Sequence, residues 1–190
     1  LRSLLADDQR PGSLAFDVRR MLDATAEVRD LLSGDTWLVV GHLDRDLDDL
    51  RTRSASALDQ AALARVMQAL LALSGLAAES TVRDAGWRFV EAGRRIERAL
   101  HLCALLRASV TEARGTATDS LVLESVLIAA ESIITYRRRY RSRAQVDTAL
   151  DLLVLDAENP RSLVFSADAL AATIEALPTP LHQRPAAASA

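Results

Sequence analysis

The chain has 190 residues, 49% of them hydrophobic, with only seven Gly and five Pro, which supplies one sizeable core and points to a helical globular protein. A net charge of −3 excludes a general nucleic-acid binder, which carries a basic surplus. A single cysteine, Cys103, excludes an internal disulfide framework.

Aromatic residues are few, so Leu, Ala and Val must build the core. All 23 basic residues are arginine, a bias that genome composition explains, so an individual arginine is not marked out by its type. No apolar run reads as membrane-spanning, and the first residues lack the charged-then-apolar layout of a signal peptide. A cytoplasmic location is therefore expected, with no membrane partner. The expected architecture is all-α, a single-domain bundle of about six to seven helices over residues 1–177, with a disordered tail over residues 178–190.

In chain order, residues 1–8 read as the end of a helix. Pro11-Gly12-Ser13 breaks the chain, and Ser13 is an N-cap for a helix over residues 14–32 with Val18, Met21, Leu22, Val28 and Leu32 near one face. Ser33-Gly34-Asp35 ends it and caps a helix over residues 36–52. The acidic run from Asp44 to Asp49 in that helix reads as a solvated face, because no glycine-turned loop converges its oxygens on a cation. His42 is a helix residue and nothing more. A polar connection at residues 53–57 leads to a third long helix, residues 58–81, with Leu63, Val66, Met67, Leu70, Leu71, Leu73 and Leu76 as its apolar face.

The Asp84-Ala85-Gly86 break opens a fourth helix through Arg107. At 100° per residue, Phe89, Ala92, Gly93, Ile96, Ala99, Leu100 and Cys103 form its apolar, buried face. Arg94, Glu97, Arg98 and His101 form a neighbouring band. Glu97 lies closest to the apolar edge, where a carboxylate needs a partner. A polar loop with Gly115 over residues 109–118 is expected to be mobile.

Residues 119–140 read as the most buried helix, apolar nearly all round. Glu124, Glu131 and Arg138 are spaced by seven and form one polar stripe; Ser125, Ser132 and Arg139 form another, with Tyr136 beside it. Glu131, among Ile128, Ala129, Ala130, Ile133 and Ile134, is expected below the surface, with Arg94 or Arg98 as a bidentate partner. Arg137, Arg138, Arg139 and Arg141 surround Tyr140 in the one basic cluster, which fits either compensation of a helix C-terminus or an anion site. A sixth helix over residues 144–155 turns Val146, Leu150, Leu153 and Val154 inward. Asn159 as N-cap and Pro160 as first helical residue then start a last helix over residues 160–177. Its first N–H groups, near Arg161 and Ser162, are either a capped structural turn or a place for an anion.

Several chemistries are unsupported. Cys103 sits on a core face, no Ser-His-Asp grouping can be argued, and Walker-type and dinucleotide loops are absent. A ferritin-like site needs Glu-x-x-His on facing helices, and neither that nor a zinc set is present, so no metal and no cofactor are expected. What remains is arginine and glutamate on facing helices, readable as a register-fixing ion-pair network or as a ligand pocket.

WRF followed by GRRIERA at residues 87–99, with ITYRRRYRSR at residues 134–143 and LLVLDAENPRS at residues 152–162, resembles the bacterial alpha-E domain family, helical domains with a recurring Glu-Arg pair. The resemblance covers the second half of the chain by motif and the first half by helix pattern. It implies that Arg94, Glu97 and Arg98 match the named motif, and that Tyr136, Arg137, Arg139, Asn159 and Arg161 match the later segments. Alpha-E domains occur fused to, or encoded beside, ATP-grasp proteins, which implies a peptide-ligation or peptide-modification setting with an ATP-grasp partner. The family begins with an earlier Glu-Arg helix that nothing before Asp84 resembles, so the chain is expected to be a C-terminal portion of a longer polypeptide.

Two functions follow as expectations. One is a non-catalytic helical module that binds a peptide, an anionic ligand or a partner protein through its arginine/glutamate core. The other is an enzyme with Glu97 or Glu131 as acid/base and the arginines holding an anionic substrate. A plain self-assembly scaffold would instead show a large apolar patch and no polar pocket.

Overall fold

Ser13 starts the first long helix as its chemistry dictates: the side-chain Oγ accepts from the N–H of Phe16 at 3.1 Å. The computed structural model describes residues 2–52 and 60–178, which form nine α-helices and no strand. The connection expected at residues 53–57 and, of the tail expected at residues 178–190, all but residue 178 lie outside the described residues. Contacts sort the chain into two compact units, residues 1–82 and residues 83–190.

The first unit contains α1 (Arg2–Ala6), α2 (Leu14–Glu27), a 3-10 turn (Arg29–Leu31), α3 (Gly34–Thr52) and α4 (Gln60–Glu79). Its core joins Ala15, Val18 and Leu22 of α2 to Val40, Leu43 and Leu47 of α3 and Val66 and Ala69 of α4. The second helix ends five residues short of the expected boundary, so Val28 stands exposed rather than inward. Met67 and Leu71 of the expected apolar face of α4 are likewise exposed.

The acidic run of α3 is not simply solvated. Arg19 of α2 reaches Asp44 at 3.0 Å and Asp48 at 3.2 Å. Arg65 of α4 reaches Asp46 at 2.8 Å and Asp49 at 3.3 Å, and Arg51 pairs with Asp8. Half-exposed pairs contribute little each, so they fix the register of three helices more than they stabilise them. By length and composition alone α4, with 20 residues and a mean hydropathy of 1.6, could cross a membrane, contrary to the sequence reading. In this unit it packs along α3, and Arg65 pairs with Asp46.

The second unit contains α5 (Ala85–Ser109), α6 (Thr116–Ala129), α7 (Ile133–Tyr140), α8 (Val146–Leu150) running into a π-helical turn (Asp151–Leu155), and α9 (Leu163–Glu175). Asp84 caps α5 by accepting from the N–H of Trp87 at 2.9 Å. The core is built from Leu102, Leu106, Leu123, Val126, Leu127, Tyr136, Leu152 and Leu153. Leu152 and Leu153 of the π turn are fully buried, while Val146, expected inward, is exposed. The 110–115 connection is tied by Arg114, which donates to the Ser109 carbonyl at 2.7 Å.

The helix expected over residues 119–140 is two helices. Glu131 lies between them with φ +51°, and the chain closes with Ser132 N–H to Leu127 carbonyl at 2.8 Å and Glu131 N–H to Ile128 carbonyl at 2.9 Å. That is a Schellman termination with glutamate in the position glycine usually takes. The break destroys the seven-residue stripes, because residues before and after Glu131 no longer share one helix face. Leu121, Ile128 and Ile134 are exposed, so this is not the most buried segment.

Candidate functional site

The face of α5 that the fold buries is not the apolar one. Its main neighbour is α9, and the residues turned inward are Glu91, Arg95, Leu102 and Leu106, with Arg98 half-buried on the same stripe. Phe89, Ile96 and Leu100, expected in the core, are exposed. The reason lies on α9 and the turn before it, which present Phe165 and Arg161. An aromatic ring receives a guanidinium well, and arginine stems cover apolar surface while their heads reach acids.

Glu91 anchors the site. It is 8% exposed, and its Oε1 accepts from Arg95 Nε at 2.6 Å while Oε2 lies 3.4 Å from Arg94. Arg95 also stacks over Phe165, 5.2 Å from the ring centroid, and its Nη1 has no hydrogen-bond partner among the described residues. Arg98 makes no ion pair among the described residues. Burial, and then the charges of Arg161, Arg95 and Arg94, hold its guanidinium below the usual arginine value, and Glu91 opposes them only in part. Four arginines thus share this corner with two carboxylates, Glu91 and Glu131, the latter engaged by Arg161. These four arginines and two glutamates carry a formal surplus of two positive charges.

Glu97 and Glu131 share no partner among the described residues. Glu97 is exposed and without an ion pair among the described residues, and the Glu131 side chain is 65% exposed. The partner of Glu131 is Arg161, not Arg94 or Arg98, because the left-handed turn carries it to the start of α9. Sequence reasoning missed Glu91, Arg95 and Phe165. The signal for the first two was the spacing 91, 95, 98, 102, a helical stripe as regular as the apolar one.

The later motif residues build a second cluster around a tight turn. Asp156 accepts from the Glu158 N–H at 2.9 Å and from Arg139 at 2.5 Å. Burial alone would raise the Asp156 carboxyl, but the Glu158 N–H, Arg139 and the Asn159 N–H outweigh it and hold it below the usual range. Tyr140 donates to Asp151 at 2.5 Å, and burial together with that carboxylate raises the phenol. Asn159 is buried, donating to the Leu152 carbonyl at 2.9 Å and accepting from the Arg161 N–H at 3.1 Å. It is therefore not the cap of α9. That place belongs to Ser162, which accepts from the Phe165 N–H at 3.0 Å, so the helix starts at Leu163 rather than Pro160. Tyr136 is also buried, its hydroxyl 2.6 Å from Thr148 Oγ1 and accepting from the Gln145 N–H at 3.1 Å. Arg137 is exposed, 4.0 Å from Glu124.

Of the arginines expected at a site, the fold thus gathers Arg94, Arg98 and Arg161, while Tyr136, Arg139 and Asn159 are engaged in holding the turn. Among the described residues no group of three or more His, Cys, Asp or Glu side chains could hold a metal ion.

The family model Alpha-E, described as a predicted alpha-helical domain with a conserved ER motif, matches residues 1–190. Glu97-Arg98 is the Glu-Arg dipeptide of this sequence. Uncharacterised proteins of Mycobacterium bovis and Mycobacterium tuberculosis are each 39% identical over 183 residues, 94% of this chain but 21% of the relative. The chain therefore spans about a fifth of the length of these curated relatives. No solved structure matches.

Proposed function

Because the chain belongs to the Alpha-E family of helical domains, we propose that it is a non-catalytic binding module whose α5 and α9 corner takes an anionic group, a carboxylate of a peptide or of a partner protein. The observation that carries this reading is Arg98. Arg94 and Arg95 share Glu91, Arg161 holds Glu131, and Arg98, held low by burial and by the charges of Arg161, Arg95 and Arg94, makes no ion pair among the described residues. A bound carboxylate between Arg98 and Arg161 would supply the missing charge, with the fork geometry that arginine offers.

The setting we propose is a cytoplasmic, ATP-grasp-linked peptide ligation or modification system, with an ATP-grasp domain or protein as partner; the family resemblance supports that part. An acid/base role for Glu97 or Glu131 gains no support from burial, since both carboxylates face water. Titration calorimetry with a short glutamate-rich peptide tests the module reading. The whole chain should bind it, Arg98→Ala should weaken binding about tenfold with an unchanged helical signal, and Arg137→Ala should leave it alone. Equal binding by the Arg98→Ala chain, or none by the native chain, would sink the proposal.

A further inference from the structure

Residues 7–16, DDQRPGSLAF, and residues 156–165, DAENPRSLVF, are identical at five of ten positions. The two segments also fold alike. Ser13 Oγ donates to the Asp7 carbonyl as Ser162 Oγ donates to that of Asp156. Asp7 accepts from the N–H of Gln9 at 3.0 Å, and Asp156 from that of Glu158 at 2.9 Å. The Ser13 N–H reaches the Arg10 carbonyl at 3.1 Å, and the Ser162 N–H reaches that of Asn159 at 2.9 Å. Each serine then caps its helix through the N–H of a phenylalanine, Phe16 or Phe165. The chain thus contains one turn-and-helix device twice, once in each unit.

The copies differ in what lies on them. On α9 the device is covered by α5: Arg95 sits over Phe165 at 5.2 Å, and Ser166 and Thr173 are buried. The matching positions on α2 are Phe16, Asp17 and Ala24. Packing of α2 on α3 uses a different face, Ala15, Val18 and Leu22, and leaves Asp17 and Ala24 exposed. Over Phe16, where an incoming arginine would lie, stands Arg20 of the same helix, 6.0 Å from the ring. Asp17, the counterpart of Ser166, makes no ion pair among the described residues and adds a negative charge to this face.

We propose that the Phe16–Asp17–Ala24 face of α2 is a docking site for a second arginine-bearing helix of the α5 pattern, one that lays a guanidinium over Phe16 in place of Arg20 and pairs with Asp17. The occupant is argued from the repeat itself, because the other copy of the device is occupied in this way, and from the charge of Asp17, which suits an arginine helix better than Ser166 does. This goes beyond the anion site and does not rest on it.

A peptide with the α5 sequence, residues 85–109, labelled for fluorescence anisotropy and added to the whole chain, is the test. Binding is expected, with about tenfold loss for Phe16→Ala and for the exposed-face variant Asp17→Arg, and a similar loss when the peptide position matching Arg95 is alanine. Asp17→Arg lies on solvent-facing surface and keeps the test valid should Phe16→Ala unfold the first unit. Phe165→Ala should leave binding unchanged. Absence of binding, or binding that Phe165→Ala weakens and Asp17→Arg does not, overturns the proposal, the latter because the peptide would then be exchanging with the resident α5.

Discussion

Glu91 and Arg95, one helical turn apart on α5, meet inside the second unit at 2.6 Å, with the guanidinium of Arg95 laid over the ring of Phe165. The pair stands where an apolar contact would otherwise join α5 to α9. Removing the acid leaves a buried guanidinium without its counter-charge, which is the costly half of breaking such a pair. Glu91→Gln should therefore lower stability by about 2–4 kcal/mol in urea denaturation, whereas Glu97→Gln, at an exposed position, should fall within about 0.5 kcal/mol of the native chain. A silent Glu91→Gln would show that the pair is not what joins these helices.

What the sequence disclosed and what it hid divide along the range of the interaction. Ser13 was legible as a cap because a cap needs only a short polar side chain and an N–H three residues on, whereas Asp84, read only as part of a break, proves to cap α5 in the same way. The inward face of α5 was not, because α5 carries two helical stripes, and only Phe165 and Arg161, over sixty residues away in the chain, select the arginine stripe. Asn159 looked like a cap for the same local reason that Ser13 did. Its side chain was taken instead by the carbonyl of Leu152, and Ser162 inherited the role.

The break at Glu131 was hidden because its usual marker, glycine, is absent, and the left-handed conformation it adopts offers the next test. A side chain with a Cβ at φ +51° carries a penalty that glycine lacks. The ion pair with Arg161 offsets it only slightly, since most of the Glu131 side chain is in water. Glu131→Gly should raise stability by about 0.5–1 kcal/mol in thermal or urea unfolding. A clear loss would mean that the Arg161 contact outweighs the backbone term.

Tyr136 separates a structural role from a ligand role. Its hydroxyl meets Thr148 Oγ1 at 2.6 Å, the Gln145 N–H at 3.1 Å and the Arg143 carbonyl at 3.2 Å, with the residue only 1% exposed. Tyr136→Phe keeps the ring and strands those partners, so a loss of about 1–2 kcal/mol is expected on denaturation. Binding of the glutamate-rich peptide by the folded fraction should not change. A variant with native stability and lost binding would return Tyr136 to the ligand site.

The pH dependence should report the turn that holds Arg161 in place. Asp156 titrates below the usual carboxylate range because the Glu158 N–H and Arg139 favour its charged form more than burial disfavours it. Its contribution is fully present above the unfolded carboxyl value of about 3.9, and is lost as pH falls through the lower folded value. Asp156→Asn should thus cost about 1 kcal/mol near neutrality, a figure kept small by the half-exposed Arg139 partner. The gap between native and variant chains should close as acid protonates the native side chain. Parallel urea titrations from pH 7 down to the acid limit read this directly. A gap that stayed constant with pH would assign the effect to the shape of the side chain rather than its charge, and the turn would then be held by Asn159 and Ser162 alone.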